Sequence, residues 1–115
     1  MSFENLEVWK RSAGLSATLY KRAKGIKDFG FRDQLTRSGL SIPSNIAEGF
    51  ERDSSAEIAR FLTIAKGSAG EAMTQIYIGI EVDYLDRSEG KQWIQELKEI
   101  SAMLGALIRK YRAKD

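Results

Sequence analysis

Apolar and polar positions in this chain repeat with helical period almost from end to end, and strand-like alternation is nearly absent. A first helix is predicted over about Glu4 to Lys24, with Val8, Trp9, Leu15, Leu19, Tyr20 and Ala23 on its apolar face and Gly25 as its stop. A short loop holding Asp28, Phe29 and Gly30 then leads to a second helix over about Phe31 to Phe50, striped by Leu35, Ile42, Ile46 and Phe50. Pro43 lies inside that helix and costs a backbone hydrogen bond to Gly39, so the pattern predicts one helix kinked at Pro43 and not two helices. Ser54-x-x-Glu57 reads as a capping box opening a third helix. Its apolar face is Ile58, Phe61, Leu62, Ala65, Ala69, Ala72, Met73, Ile76 and Ile80, and it ends near Asp83 to Leu85. Asp86-x-x-Glu89 repeats the capping signal for a fourth helix, with Trp93, Leu97, Ile100, Leu104, Leu107, Ile108 and Tyr111 facing inward.

Loops this short turn each helix back along its predecessor. The expected fold is therefore all-α, an antiparallel up-down-up-down four-helix bundle formed by residues 1–115 as a single domain. The competing arrangement is an extended helical hairpin completed by another chain.

Composition narrows the chemistry more than the fold. The chain contains no cysteine and no histidine. This removes disulfides, the usual zinc, haem and iron–sulfur ligands, and the commonest general base at neutral pH. No acidic cluster has convincing spacing for magnesium, no glycine-rich loop has Walker spacing, and Gly67, Gly70 and Gly79 fall within a helical pattern that suits close packing. The expectation is a protein that is not an enzyme and carries neither metal nor cofactor. The first seven residues hold acidic and polar side chains and no apolar core of a signal peptide, and no apolar run approaches the roughly 18 residues that span a bilayer. A cytoplasmic protein with no membrane partner is the corresponding expectation.

Charge is unevenly spread. Residues 1–40 hold eight Lys/Arg against four Asp/Glu, residues 41–90 four against nine, and residues 91–115 six against three. Basic outer segments around an acidic middle suit a polarised surface or charge-complementary packing of like subunits. The candidate nucleic-acid contacts are Lys10, Arg11, Lys21, Arg22, Lys24 and Lys27, with Arg109, Lys110, Arg112 and Lys114 in a second cluster at the other end of the bundle. Both clusters also lie where cations favour a helix C-terminus. The sequence shows no aromatic–basic interleaving of the kind that stacks exposed bases, and Trp9 and Trp93 fit core or interface positions.

A second, polar stripe runs along the middle helices. Gln34, Ser38, Ser41, Asn45 and Glu48 recur on the second, flanked by Arg37 and Arg52, and Arg60, Gly67, Ser68, Glu71 and Gln75 lie on the third. If these helices turn back near residues 53–54, the register sets Arg37 beside Glu71, Ser41 near Gly67 and Ser68, and Glu48 beside Arg60. One reading is a helix-registry network, within or between subunits. A second is solvated intrahelical pairs, Asp33–Arg37 and Glu48–Arg52, each contributing about 0.2–0.5 kcal/mol. A third is contact with a ligand or RNA.

These same residues carry a resemblance. Gly30-Phe31, Gln34, Arg37, the run from Ser41 through Gly49 (Ser-Ile-Pro-Ser-Asn-Ile-Ala-Glu-Gly) and Arg52 resemble the four-helix bundle family of proteins encoded in intervening sequences of 23S rRNA genes. Phe61, Ala65, Gly67, Ser68 and Glu71 continue the match, and Phe3, Leu6, Val8, Trp9 and Tyr20 open it. The resemblance implies a bundle that assembles into a ring-like homopentamer. It also implies kinship with the accessory variability determinant of diversity-generating retroelements, a basic barrel that works with a reverse transcriptase and nucleic acid. Thr36 stands where that pattern often has an arginine, removing one cation; Met73 stands where it has an acidic residue; and the loop before Gly30 lacks the expected proline. Two function classes follow: a homo-oligomeric binder of RNA or DNA, and a protein-binding adaptor for a nucleic-acid enzyme.

Overall fold

Side-chain caps decide where three of the four helices begin. The computed structural model describes residues 2–114, with helices α1 (Glu7–Ala23), α2 (Phe29–Phe50), α3 (Ser55–Glu81) and α4 (Arg87–Arg112) after a 3-10 turn over Phe3–Asn5. Ser54 Oγ accepts the Glu57 backbone N–H at 3.1 Å and Asp86 Oδ2 accepts that of Glu89 at 2.9 Å, so both predicted capping signals work as helix starts. Asp28 does the same for α2, accepting the Phe31 N–H at 3.0 Å. That cap pulls Phe29 and Gly30 into the helix, correcting the expectation that they belong to the loop. The first helix also starts later than its periodicity suggested, because Leu6 takes an extended conformation between the 3-10 turn and Glu7. Gly25 does not supply a left-handed stop: Lys24 stays right-handed, no described glycine has positive φ, and the chain turns through an Ile26 N–H to Ala23 C=O bond of 3.0 Å while Ile26 is buried.

Pro43 is buried within α2, which runs as one helix and not two. Gly39, one turn earlier, answers a different need, since a Cβ there would lie 2.8 Å from Leu19 Cδ1 of α1. At the far end of α3 the turn is a Schellman motif: the Tyr84 N–H reaches Gly79 C=O at 2.9 Å and the Asp83 N–H reaches Ile80 C=O at 3.1 Å. Its left-handed residue is Asp83, with φ of 62°, an aspartate in the position where glycine is usual.

The fully buried side chains Leu19, Leu35, Ile42, Ile46, Leu62, Ile76, Leu97, Ile100 and Leu104 come from all four helices and meet in one core. Burying each contributes about 1.5–3 kcal/mol. Ala65, Ala69 and Ala72 line the inward side of α3 and are fully buried, which lets the central helices close tightly. The bundle extends 47 Å along its long axis and 21 × 19 Å across it, one long helix by two. Tyr20 is a correction to the predicted core, being 44% exposed at the edge of the α1 face.

The register between helices is read from their cross-links. Ser38 meets Gln75 and Ser41 meets Ser68, so residue numbers rise on α2 as they fall on α3. On α1 and α4 the same holds, with Arg11 at Glu96 and Glu99 and Arg22 at Glu89.

Candidate nucleic-acid interface

The polar stripe divides into a middle bonded across helices and charged ends that are not. Ser41 Oγ and Ser68 Oγ are 2.8 Å apart, Asn45 Nδ2 donates to Ser41 Oγ at 2.9 Å, and Ser38 Oγ donates to Gln75 Oε1 at 2.6 Å. The Ser41–Ser68 and Ser38–Gln75 pairs bridge α2 and α3, the first at the predicted level, while the Asn45 bond runs along α2 and holds Ser41 in place. The charged pairs behave otherwise. Glu48 bonds Arg52 along α2, and Arg60 Nε donates to Glu57 at 3.1 Å along α3, so the expected Glu48–Arg60 pair does not form. Both carboxylates found a partner one turn away at lower conformational cost than reaching across helices. Arg37 and Glu71 do face each other with Gln34 across a shallow hollow of about 200 Å³, yet no ion pair joins them among the described residues. Thr36, at the position where the pattern often has arginine, is buried and donates to the Arg32 C=O at 2.9 Å.

Two of the candidate nucleic-acid cations are already spent on the fold. Arg11 forks onto α4, with Nε to Glu96 Oε2 at 2.8 Å and Nη2 to Glu96 Oε1 and Glu99 Oε1 at 2.5 Å each. The bonds from Glu96 and then Glu99 push its pKa higher still, while the bond from Arg11, with help from Gln95, lowers that of Glu99. Arg22 pairs with Glu89 at 2.9 Å. Since α1 contacts α4 less than it contacts α2, these ion pairs tie down the thinner side of the bundle. Arg11 and Arg22 thus tie α1 to α4, and no local pattern signals it because their partners lie on another helix. Lys10 stays exposed beside Arg11, and Lys27 is exposed in the loop before α2.

The remaining cations collect in two places. Arg112 and Lys114 join Arg60 around a cleft of about 530 Å³ between α3 and the end of α4, with Thr63, Ile64 and Tyr111 in its walls and no carboxylate side chain lining it among the described residues. Arg112 Nη2 reaches Thr63 Oγ1 at 3.4 Å. Lys114 and Lys110 lie over the Tyr111 ring, 5.0 and 5.7 Å from its centroid, and Arg109 and Lys110 are exposed in the last turn beside them. Arg52 and Arg60 sit over Phe61 at 4.8 and 4.6 Å. At the opposite end, Lys21 and Lys24 border a groove of about 320 Å³ between α1 and α2, shared with Tyr20, Arg32 and Asp33. Arg32 lies 4.5 Å from the centroid of Phe29. The separation of Lys21 and Lys24 from the Arg109–Lys114 cluster is as the helix directions required. Cations meet rings as sequence neighbours (Arg60–Phe61, Lys110–Tyr111), at i+3 spacing (Arg32–Phe29, Lys114–Tyr111) or from another helix end (Arg52–Phe61).

Beside the cleft, the outer face of α3 is unusually apolar. Ile64, Tyr77, Ile78 and Val82 are between 42% and 53% exposed, and Gly67 and Gly70 point into open space. Among the described residues no group of three or more carboxylate side chains is placed to hold a metal ion, and no helix is long and apolar enough to cross a membrane.

Residues 4–106 match the family described as 23S rRNA-intervening sequence protein. A crystal structure of a protein of unknown function from the S23 ribosomal protein family of Bacteroides thetaiotaomicron superimposes with a TM-score of 0.82 at 28% identity, covering 88% of this chain and 97% of that one. No curated protein sequence matches significantly.

Proposed function

We propose, from the premise that this chain belongs to the 23S rRNA-intervening sequence protein family, that it is a non-enzymatic, homo-oligomeric cytoplasmic protein that binds RNA. The observation that carries this reading is the convergence of Arg60, Arg112 and Lys114 on one cleft. Arg60 is partly engaged by Glu57, whereas Arg112 and Lys114 have no acidic partner among the described ion pairs. Arginine and lysine gathered around an open cleft suit phosphate oxygens, and the aromatic rings beneath them hold the cations outward. Phosphate neutralisation of this kind releases counterions, so the affinity falls steeply with salt.

Oligomerisation is supported by the outer face of α3. A glycine inside a helix costs about 0.5–1 kcal/mol relative to alanine. Gly67 and Gly70 gain nothing for it within one protomer, and close approach of a second helix beside Ile64 and Ile78 supplies a reason. A ring of five is the assembly that the family resemblance suggests.

Light scattering together with fluorescence anisotropy on a short structured RNA, at low and high salt, tests both parts. The expected result is a mass near five times 12.9 kDa and salt-sensitive binding. The pair Arg112→Glu and Lys114→Glu should weaken binding and lower the salt slope by roughly 0.7–0.9 per lost phosphate contact. RNA binding unaffected by that pair sinks the cleft assignment. An oligomer that ignores RNA at low salt favours the second reading, an adaptor for a nucleic-acid enzyme such as a reverse transcriptase.

A further inference from the structure

The two basic sites differ in what their aromatic rings are free to do. At the α3–α4 cleft each nearby ring is already covered: Phe61 by Arg52 and Arg60, Tyr111 by Lys110 and Lys114, with Phe50 packed edge-on to Tyr111 at 5.5 Å. Those rings have little face left for a base. At the groove between α1 and α2 a single cation, Arg32, lies over Phe29, and none lies over Tyr20 among the described residues. Phe29 is 62% exposed, the highest value among the large exposed apolar side chains, and Tyr20 is 44% exposed. Arg32 lies over Phe29 and also lines the groove, which connects the ring to the Lys21 and Lys24 wall. Neither ring is needed by the hydrophobic core, and neither belongs to its partly buried fringe.

We propose that this groove binds an unpaired stretch of RNA, with a base stacked on Phe29 and a neighbouring one on Tyr20 while Lys21, Lys24 and Arg32 take the intervening phosphates. An exposed aromatic face beside a basic groove is what holds single strands without reading their sequence, because every base offers a π-face to stack. A duplex cannot use it, since its bases are already stacked on one another and their faces are closed. Asp33, the one carboxylate in the lining, sits on the α2 wall and repels a phosphate placed next to it, which directs the backbone toward the lysine side. The proposal rests on the RNA-binding reading and adds to it: the α3–α4 cleft grips backbone of any form, and the α1–α2 groove selects unpaired nucleotides.

The test compares a short RNA without secondary structure and a blunt RNA duplex of the same length, against the wild-type protein, Phe29→Leu, Phe29→Trp and the Arg112→Glu/Lys114→Glu pair. Phe29→Leu keeps an apolar side chain at an exposed site, so folding is preserved, and a far-UV melt verifies it. Loss of one base–aromatic stack lowers single-strand affinity by about five- to a hundredfold. The expected pattern is that Phe29→Leu weakens single-strand binding in that range and leaves duplex binding unchanged, Phe29→Trp restores it, and the double charge reversal weakens both. Unchanged single-strand affinity in Phe29→Leu overturns the groove assignment while leaving RNA binding at the cleft intact. Equal losses for both probes also overturn it. Failure of the wild-type protein to bind either probe at low salt removes the RNA-binding reading itself.

Discussion

Replacing Gly79 with alanine sets helix propensity against packing, and the structure says which prevails. A Cβ at that position would lie 2.7 Å from Leu85 Cδ1, 2.9 Å from Leu85 Cγ and 2.8 Å from Phe31 Cζ. Carbon atoms in contact settle at about 3.5–4.0 Å, so the methyl group intrudes on two side chains at once. Neither can simply retreat. Leu85 is buried and its N–H is bonded to Gly79 C=O at 3.1 Å, and Phe31 packs edge-on against Tyr84 at 5.2 Å. Overpacking of this kind costs about 1–3 kcal/mol. The opposing gain, alanine over glycine in a helix interior, is about 0.8–1.0 kcal/mol and is smaller this close to the end of α3. A net loss of roughly 1–2 kcal/mol follows, with a fall in Tm of about 4–8 °C for each kcal/mol in a domain of this size. Gly14→Ala is the control, because nothing lies within 4 Å of its Cβ; it should gain about 0.5–1 kcal/mol. Urea unfolding, followed by far-UV circular dichroism at one fixed protein concentration, measures both. If Gly79→Ala proves as stable as Gly14→Ala, the close approach at the α3–α4 turn is not a packing constraint and the reasoning is wrong.

Acid should loosen the α1–α4 side and the α2 cap together. Glu99 is lowered from its ordinary pKa by its bond from Arg11, and Asp28 by the Phe31 N–H and then the Tyr84 hydroxyl, which donates to it at 3.0 Å. A carboxylate depressed in the folded state adds stability that is complete above its unfolded pKa, near 4.5 for Glu99 and 3.8 for Asp28, and is lost as pH falls through the lower folded value. Stability measured by denaturant from pH 6 downward should therefore begin to drop at about pH 4.5, and Glu99→Gln with Asp28→Asn should flatten that limb; an unaltered limb refutes the assignment. Ser41→Ala and Ser68→Ala should each cost about 0.5–1.5 kcal/mol, and together less than their sum, because they share one hydrogen bond. Strict additivity in the double-mutant cycle would show that the serine pair does not couple α2 to α3.

Much of the architecture was legible because it is local. The starts of α3 and α4 need only a serine or aspartate three residues before an N–H, and the core stripe of α3 needs only its repeat. The register of the middle helices followed from short turns and proved right at Ser41–Ser68. Errors arose where a neighbour in space outweighed a neighbour in sequence. Tyr20 obeys the apolar period of α1 but falls at its edge, where α2 presents Arg32 and Thr36 beside a groove instead of a closing side chain. Glu48 and Arg60 were expected to pair across helices, yet each pairs along its own helix.

The sequence by itself determined four helices, the caps of the last two, a chain without histidine or cysteine chemistry, and a family likeness strong in the Ser41–Gly49 run. Tertiary structure alone decided which charges are available. Arg11 and its partner Glu96 are 85 residues apart, so no local pattern could show that this cation is consumed in joining α1 to α4 while Arg112 and Lys114 are left facing a cleft. It also decided how far each ring is covered. Phe61 and Phe29 look alike in the sequence, and only packing shows that Arg52 and Arg60 both lie over the one while the other carries Arg32 alone and stays 62% exposed. Helical period and capping are set by atoms a turn apart, but charge neutralisation and solvent exposure are sums over whatever the fold brings within a few ångströms.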